Sequence, residues 1–170
     1  SYHSMINHHN RSMCMESRPL SQNDVQSIWA INEQGLPGTG QVTEKELSDL
    51  LNLSTLSLGI FSNEKLLGFV ICLSPKTKYG SLNYAWFNEH YDEFLYVDRI
   101  AVSTDARDRG VGSKLYEDVI SYSKENEMPI AAEVNKNPPN PGSMRFHHKF
   151  DFSEVGVLNH LDKSVTMFLR

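Results

Sequence analysis

Hydrophobic and polar positions alternate between two rhythms along this chain. Val25, Ile28, Trp29 and Asn32 fall at helical spacing, as do Leu47, Leu50 and Leu51, and again Leu115, Val119 and Ile120. Spacings of three and four residues put side chains on one helical face. Other stretches are near-continuous apolar runs. Residues 56–62 and 66–73 are two such runs joined by Asn63-Glu64-Lys65, which predicts a β-hairpin. Residues 94–102 are apolar apart from Asp98 and Arg99, as expected of a central strand. Shorter strands are predicted at 12–18, 130–134, 152–158 and 165–169. The aromatic-rich stretch 79–92 has no clear period and is left unassigned.

Local signals mark the ends of these elements. Ser21 precedes Asp24 by three residues, and Thr43 precedes Glu46 by three; each pair fits a capping box. Asn140 followed by Pro141 is a cap plus a first-turn proline, so a helix carrying Met144, Phe146 and His147 begins there. A helix is also expected over 113–126. The order is strand, two helices, hairpin, strand, helix, strand, helix, two strands. That alternation predicts a mixed α/β domain whose middle strand–helix–strand unit is a right-handed crossover between parallel strands.

Composition narrows the class. The 170 residues suit one domain, 13–170, preceded by a tail over 1–12. A net charge of −5 argues against nucleic acid as the main partner. No apolar run approaches the roughly 18 residues of a membrane span, and no apolar leader segment is evident. Two cysteines, Cys14 and Cys72, make no disulfide framework, so a reducing, cytoplasmic location is expected. His3, His8 and His9 are read as part of a solvated tail, and no metal site is expected.

The densest chemistry lies at Arg107-Asp108-Arg109-Gly110-Val111-Gly112-Ser113, between a strand and a helix. A helix N-terminus exposes unpaired N–H groups and a partial positive charge. Glycines let backbone approach an anion closely, and the arginines add charge. The stretch reads either as a pyrophosphate cradle or as a plain strand-to-helix turn. A dinucleotide fingerprint would need a third glycine where Leu115 stands. A nucleotide P-loop would end Gly-Lys-Ser, whereas Gly112 is followed by Ser113-Lys114.

Arg107-x-x-Gly110-x-Gly112, after an apolar strand and before a long helix, resembles the acetyl-CoA motif of the GNAT acetyltransferases. Residues 96–102 resemble the fourth strand of that fold. Asn140-x-x-Ser143-x-x-Phe146-His147, ending in Phe152, resembles its second CoA motif. The stretches 91–102 and 133–146 resemble an uncharacterised bacterial branch of the superfamily. The resemblance implies a mostly antiparallel central sheet, helices on both faces, and a splayed parallel strand pair that receives the CoA arm. It implies acetyl-CoA as co-substrate and transfer of acetyl to an amine of a small molecule or peptide. It places Ile100, Ala101 and Val102 along the pantetheine arm, Arg107, Asp108, Arg109, Gly110, Val111, Gly112 and Ser113 at the pyrophosphate, and Asn140, Ser143 and Phe146 near the arm. Asn140 reads equally as a helix cap. Relatives often dimerise, so a homodimer is among the expectations.

The implied reaction needs a base for the amine and an acid for the departing thiolate. Glu133 is the first candidate for the base and Asp98 the second. Pairing of Glu133 with Arg99 or a lysine, or of Asp98 with Arg99 or Arg145, is the alternative for each. The family's usual tyrosine acid is replaced by His147, which reads as acid or as a half-buried helix histidine. Asp151 stands where the family usually has glycine. Tyr84, Trp86, Tyr91 and Tyr96, with carboxylates among them, suit an organic cation in the acceptor cleft, although any one ring also reads as core. Rival readings are a non-catalytic acyl-CoA sensor, transfer of another acyl group or to oxygen, and an interaction domain without cofactor.

Overall fold

A computed structural model describes residues 14–170. A seven-stranded sheet runs in the order β1-β2-β3-β4-β5-β7-β6. Its strands are β1 (Glu16–Pro19), β2 (Leu56–Ser62), β3 (Lys65–Leu73), β4 (Leu95–Val102), β5 (Ile130–Asn137), β6 (Ser153–His160) and β7 (Lys163–Leu169). The helices are α1 (Val25–Gln34), α2 (Glu44–Leu53), α3 (Leu82–His90), α4 (Val111–Glu125) and α5 (Pro141–Lys149). All pairings are antiparallel except β4 with β5. Among the described residues, no helix is long and apolar enough to cross a membrane.

Strand alternation divides the core between the two faces of the sheet. Phe69, Ile71 and Leu73 of β3 join Ile28, Leu47, Tyr84 and Phe87 in one cluster, under α1, α2 and α3. Val70 and Cys72, the intervening residues, join Leu115 and Val119 in the other, under α4. A period of two sends neighbours to opposite faces, so a continuously apolar β3 feeds both layers. Each fully buried side chain of this size stabilises by about 1.5–3 kcal/mol.

Both capping boxes form. The Ser21–Asp24 pair opens a short 3-10 turn that runs into α1, and the Thr43–Glu46 pair opens α2. The hairpin β2–β3, the cap of α5 at Asn140 and the two closing strands also form. Three expectations are corrected. The aromatic stretch contains α3, capped by Ser81, whose side chain accepts from the Tyr84 N–H. Its buried residues are Tyr84 and Phe87 alone, so one short helix buries too narrow a stripe to show a period. β5 continues three residues past Val134, because the polar end of the strand pairs with β7 through Asn135↔Val165 and Asn137↔Ser164. β1 is shorter at its start than expected, since Cys14 and Met15 precede it, and it runs one residue further, to Pro19; residues 12 and 13 of its expected span, the tail and its three histidines lie outside the described residues.

Candidate active site

The site begins where two parallel strands part. β4 and β5 pair at Leu95↔Ile130 and Tyr96↔Ala131 only. Beyond that point β5 pairs with β7 on its other side, so one edge of β4 from Val97 onward faces a cleft. Asp98 is an extra residue in β4: Ile71 faces Arg99 while Cys72 faces Val97. Such a bulge bends the strand and re-aims its side chains.

At one end, a cavity of about 690 Å³ is lined by Ile100, Val102, Arg107, Asp108, Gly110, Val111, Gly112, Ser113, Ser143 and Phe146, with Tyr116 and His147. Gly110 holds φ +75°, a left-handed conformation that favours glycine, and caps α4 without any side-chain hydrogen bond. By contrast, Thr43, Ser81 and Asn140 cap α2, α3 and α5 with their side chains. The first turn of α4 therefore has N–H groups that no capping side chain takes up, an arrangement that suits an anion. A Cβ on Gly112 would meet Phe146 and Val102 only at ordinary contact distances, 3.6 and 3.7 Å. Arg109 is aimed elsewhere: its guanidinium reaches the Asp105 carbonyl at 3.5 Å, and it lines a surface pocket with Lys65.

A second cavity, about 490 Å³, adjoins the first through Ile100, Val102, Arg107, Tyr116, Ser143 and His147. It is also lined by Ala101, Asn140, Asp98, Tyr96, Tyr79, Asn83 and Glu133. Asn140 is the helix cap, its side chain accepting from the Ser143 N–H, and it also lines the cleft.

Glu133 projects from β5 into this second cavity. Its Oε1 accepts from the Tyr96 hydroxyl at 2.7 Å and from Asn83 Nδ2 at 3.2 Å, while Oε2 is buried without a partner. Burial pushes its carboxyl up to about 8, and the charge of Asp98 adds to this; the bonds from Tyr96 and Asn83 act the other way. Among the described residues Glu133 forms no ion pair with Arg99 or a lysine, contrary to the alternative reading of that residue. Asp98 does, as its own alternative held: its carboxylate lies 2.8 Å from Arg99 Nε, and both side chains are buried. Arg99 Nη1 also donates to Asn32 Oδ1 and to the Gly40 carbonyl, each at 3.1 Å. This ties the loop between α1 and α2 to the floor of the cleft.

His147 is 4 % exposed, and both ring nitrogens are engaged. Nδ1 lies 2.7 Å from the Ser143 carbonyl, which can only accept, so Nδ1 carries the proton. The Tyr116 hydroxyl, 2.7 Å from Nε2, then donates to it. Desolvation lowers the imidazole pKa, which keeps the ring neutral at neutral pH. Tyr116 carried no functional signal in the sequence, being one apolar-face position of a long helix.

Of the four expected acceptor-side rings, Tyr96 lines the cleft. The other three are corrected to packing roles. Tyr84 is 1 % exposed, with its hydroxyl bound to Thr77 and the Ser74 carbonyl. Trp86 stacks on His90 and packs over Gly156 of β6. Tyr91 packs against Phe87 at the edge of the core. Tyr84 and Trp86 stand two positions apart on α3 and so point in different directions, while Tyr91 lies past the end of that helix. Tyr79 and Asn83, from the same connection, line it instead.

The family model of the Acetyltransferase (GNAT) family matches residues 25–152, well over half the chain, and the protein belongs to that family. The fold is shared with solved structures of low identity. Ard1 from Thermoplasma volcanium is 19% identical at a TM-score of 0.73, covering 92% of this chain and 96% of its own. Arabidopsis thaliana NAA60 in complex with acetyl-CoA is 18% identical at 0.74, covering 92% and 99%. The ribosomal-protein-S18-alanine N-acetyltransferase from Escherichia coli is 15% identical at 0.72, covering 92% of each chain. A comparison with curated protein sequences finds no match.

Proposed function

We propose that this chain transfers an acetyl group from acetyl-CoA to a primary amine of a small molecule or peptide. One observation carries the reading: a single cleft between splayed strands joins an uncapped helix N-terminus to a buried carboxyl whose pKa is raised to about 8.

The residues present fit acetyl-CoA. The free N–H groups at the start of α4, with Arg107, suit a pyrophosphate. The open edge of β4 at Ile100, Ala101 and Val102 suits the amide-bearing pantetheine arm, and Ser143 and Phe146 wall it. When bound, acetyl-CoA supplies an acyl carbon activated by its thioester. Glu133 takes the amine proton. Since Oε1 already accepts two bonds, the receiving atom is Oε2. The acid form of Glu133 predominates below about 8, so the working base grows in as pH rises through that value. Asp98, held by Arg99, acts as a fixed charge that helps keep the Glu133 pKa high. His147 serves the leaving group indirectly: it orients Tyr116, whose hydroxyl can swing from Nε2 to the departing sulfur. That exchanges a neutral hydrogen bond for a stronger, charge-assisted one.

Thermal unfolding with and without acetyl-CoA tests the cofactor, and thiol release with a panel of amines tests the transfer. A ligand at about 100 times its dissociation constant adds about 2.7 kcal/mol, a shift of several degrees. Gly112→Leu, which fills the cradle, should abolish that shift. No shift at millimolar acetyl-CoA sinks the proposal. A shift without thiol release from any amine leaves the chain a non-catalytic acyl-CoA sensor.

A further inference from the structure

β3 and β4 are antiparallel neighbours, a pairing that a short turn can join. Here the connection spans 74–94 and includes α3. The second position of that helix is Asn83, whose side chain reaches across to β5 and donates from Nδ2 to Glu133 Oε1 at 3.2 Å. That bond fixes the amide orientation, because a carboxylate oxygen already accepting from Tyr96 takes a donor and not a second acceptor. Asn83 Oδ1 is then left buried without a partner, and so is Glu133 Oε2. Two orphaned acceptors thus belong to two side chains already bonded to each other, and both side chains line the acceptor end of the cleft.

Once Glu133 is ionised, above about pH 8, both atoms act only as acceptors. Buried acceptors without donors are rare and costly, and each calls for a donor that the described residues do not supply. Tyr96 and the Asn83 amide nitrogen both donate to Oε1 and leave Oε2 unserved. Resting on the proposed acetyl transfer, we infer that Asn83 and Glu133 form a two-acceptor seat for the substrate nitrogen, which selects primary over secondary amines. A neutral primary amine has two N–H donors and one lone pair. One N–H satisfies Glu133 Oε2 and the other Asn83 Oδ1, which leaves the lone pair for the acyl carbon. A neutral secondary amine has one N–H, so one buried acceptor stays unpaired. In the step itself the lone pair forms the N–C bond, the C–S pair goes to sulfur, and the proton nearest Glu133 passes to Oε2. A site that hydrogen-bonds a substrate N–H rejects the analogue lacking it far more strongly than an apolar pocket rejects a missing methylene.

The test compares benzylamine with N-methylbenzylamine as acceptors of the full chain at saturating acetyl-CoA, above pH 8, in wild type, Asn83→Leu and Asn83→Asp. Wild type should favour benzylamine in kcat/KM by at least about tenfold. In Asn83→Leu that ratio should collapse toward one, with the acetyl-CoA KM unchanged. Asn83→Asp keeps an acceptor in place and should keep the preference. The ratio is the readout because loss of the Asn83–Glu133 bond slows both amines alike. A wild-type ratio near one, or the same ratio in Asn83→Leu, overturns the inference: Oδ1 and Oε2 would then hold a water. If neither amine, nor any other, is acetylated although acetyl-CoA raises the unfolding midpoint, the transfer reading itself has failed and the seat falls with it.

Discussion

In the proposed function the two ends of the cleft serve their ligands by different means. The end under α4 offers backbone: uncapped N–H groups, a left-handed glycine and the open edge of β4. The end under α3 offers side chains: the carboxyl of Glu133, the amide of Asn83 and the hydroxyls of Tyr96 and Tyr79, drawn from three separate parts of the chain. Backbone recognition demands glycine at fixed spacing and tolerates much else. Side-chain recognition can be rebuilt residue by residue without disturbing the sheet. On that proposal the cofactor end is the more constrained in its sequence, and the acceptor end is free to vary with the substrate.

The largest effect should come from the carboxyl. Glu133→Gln preserves shape and the Oε1 contacts but cannot take a proton, so kcat should fall by about 10²- to 10⁴-fold. The acetyl-CoA-induced shift in unfolding temperature should stay at its wild-type size. If the variant also loses the shift, the two ends are not separable and Glu133 helps hold the cofactor. If it keeps full rate, the base lies elsewhere.

The same division explains what could be read from the residues. Gly110 and Gly112 stand in one short run, which reads either as an anion cradle or as a plain turn; most of the residues expected there do line one cavity. Arg109 shows the limit, since spacing fixes where a residue sits but not where a long side chain turns. The family resemblance alone singles out Glu133; the cost of a charge in a central strand points instead to Asp98, which is paired with Arg99. Nothing singles out Asn83: it is an ordinary polar residue in a stretch without visible period, and only α3 brings it opposite β5. Tyr116 was hidden for the opposite reason. It occupies a core position of α4, and its hydroxyl acquires meaning only from His147, 31 residues away.

Tyr116 stands where the two ends meet, since it lines both cavities. Tyr116→Phe should lower kcat by about 10- to 100-fold, the worth of one hydrogen bond to a developing charge. KM for both substrates should change little. The variant also leaves His147 Nε2 unpaired in a buried site, so the unfolding midpoint should drop by a few degrees. A lower midpoint with unchanged kcat would make the pair purely structural. In that case His147→Gln in the otherwise wild-type chain, which can still accept from Tyr116, should keep both the midpoint and the turnover of wild type.

The smallest effect is a pH signature that only the acceptor end should carry. Glu133 has a folded pKa of about 8, above the ordinary value of 4.5. Below 4.5 both folded and unfolded chains hold its proton, and the residue contributes no pH dependence. Between 4.5 and 8 the unfolded chain releases the proton while the folded chain retains it. The folded state then binds more protons, so stability falls as pH rises through this window. Above 8 both states are ionised, and the cost of a buried carboxylate is carried in full. The midpoint of Glu133→Gln minus that of wild type should therefore widen from pH 4.5 to about 8 and then level off. The same difference taken for Gly112→Leu should be flat across the range, because no titrating group is altered there. A flat difference for Glu133→Gln as well would mean that the carboxylate is already ionised at neutral pH in the folded chain. The rate should then cease to rise through pH 8, and the acceptor end would owe its function to position rather than to a tuned proton.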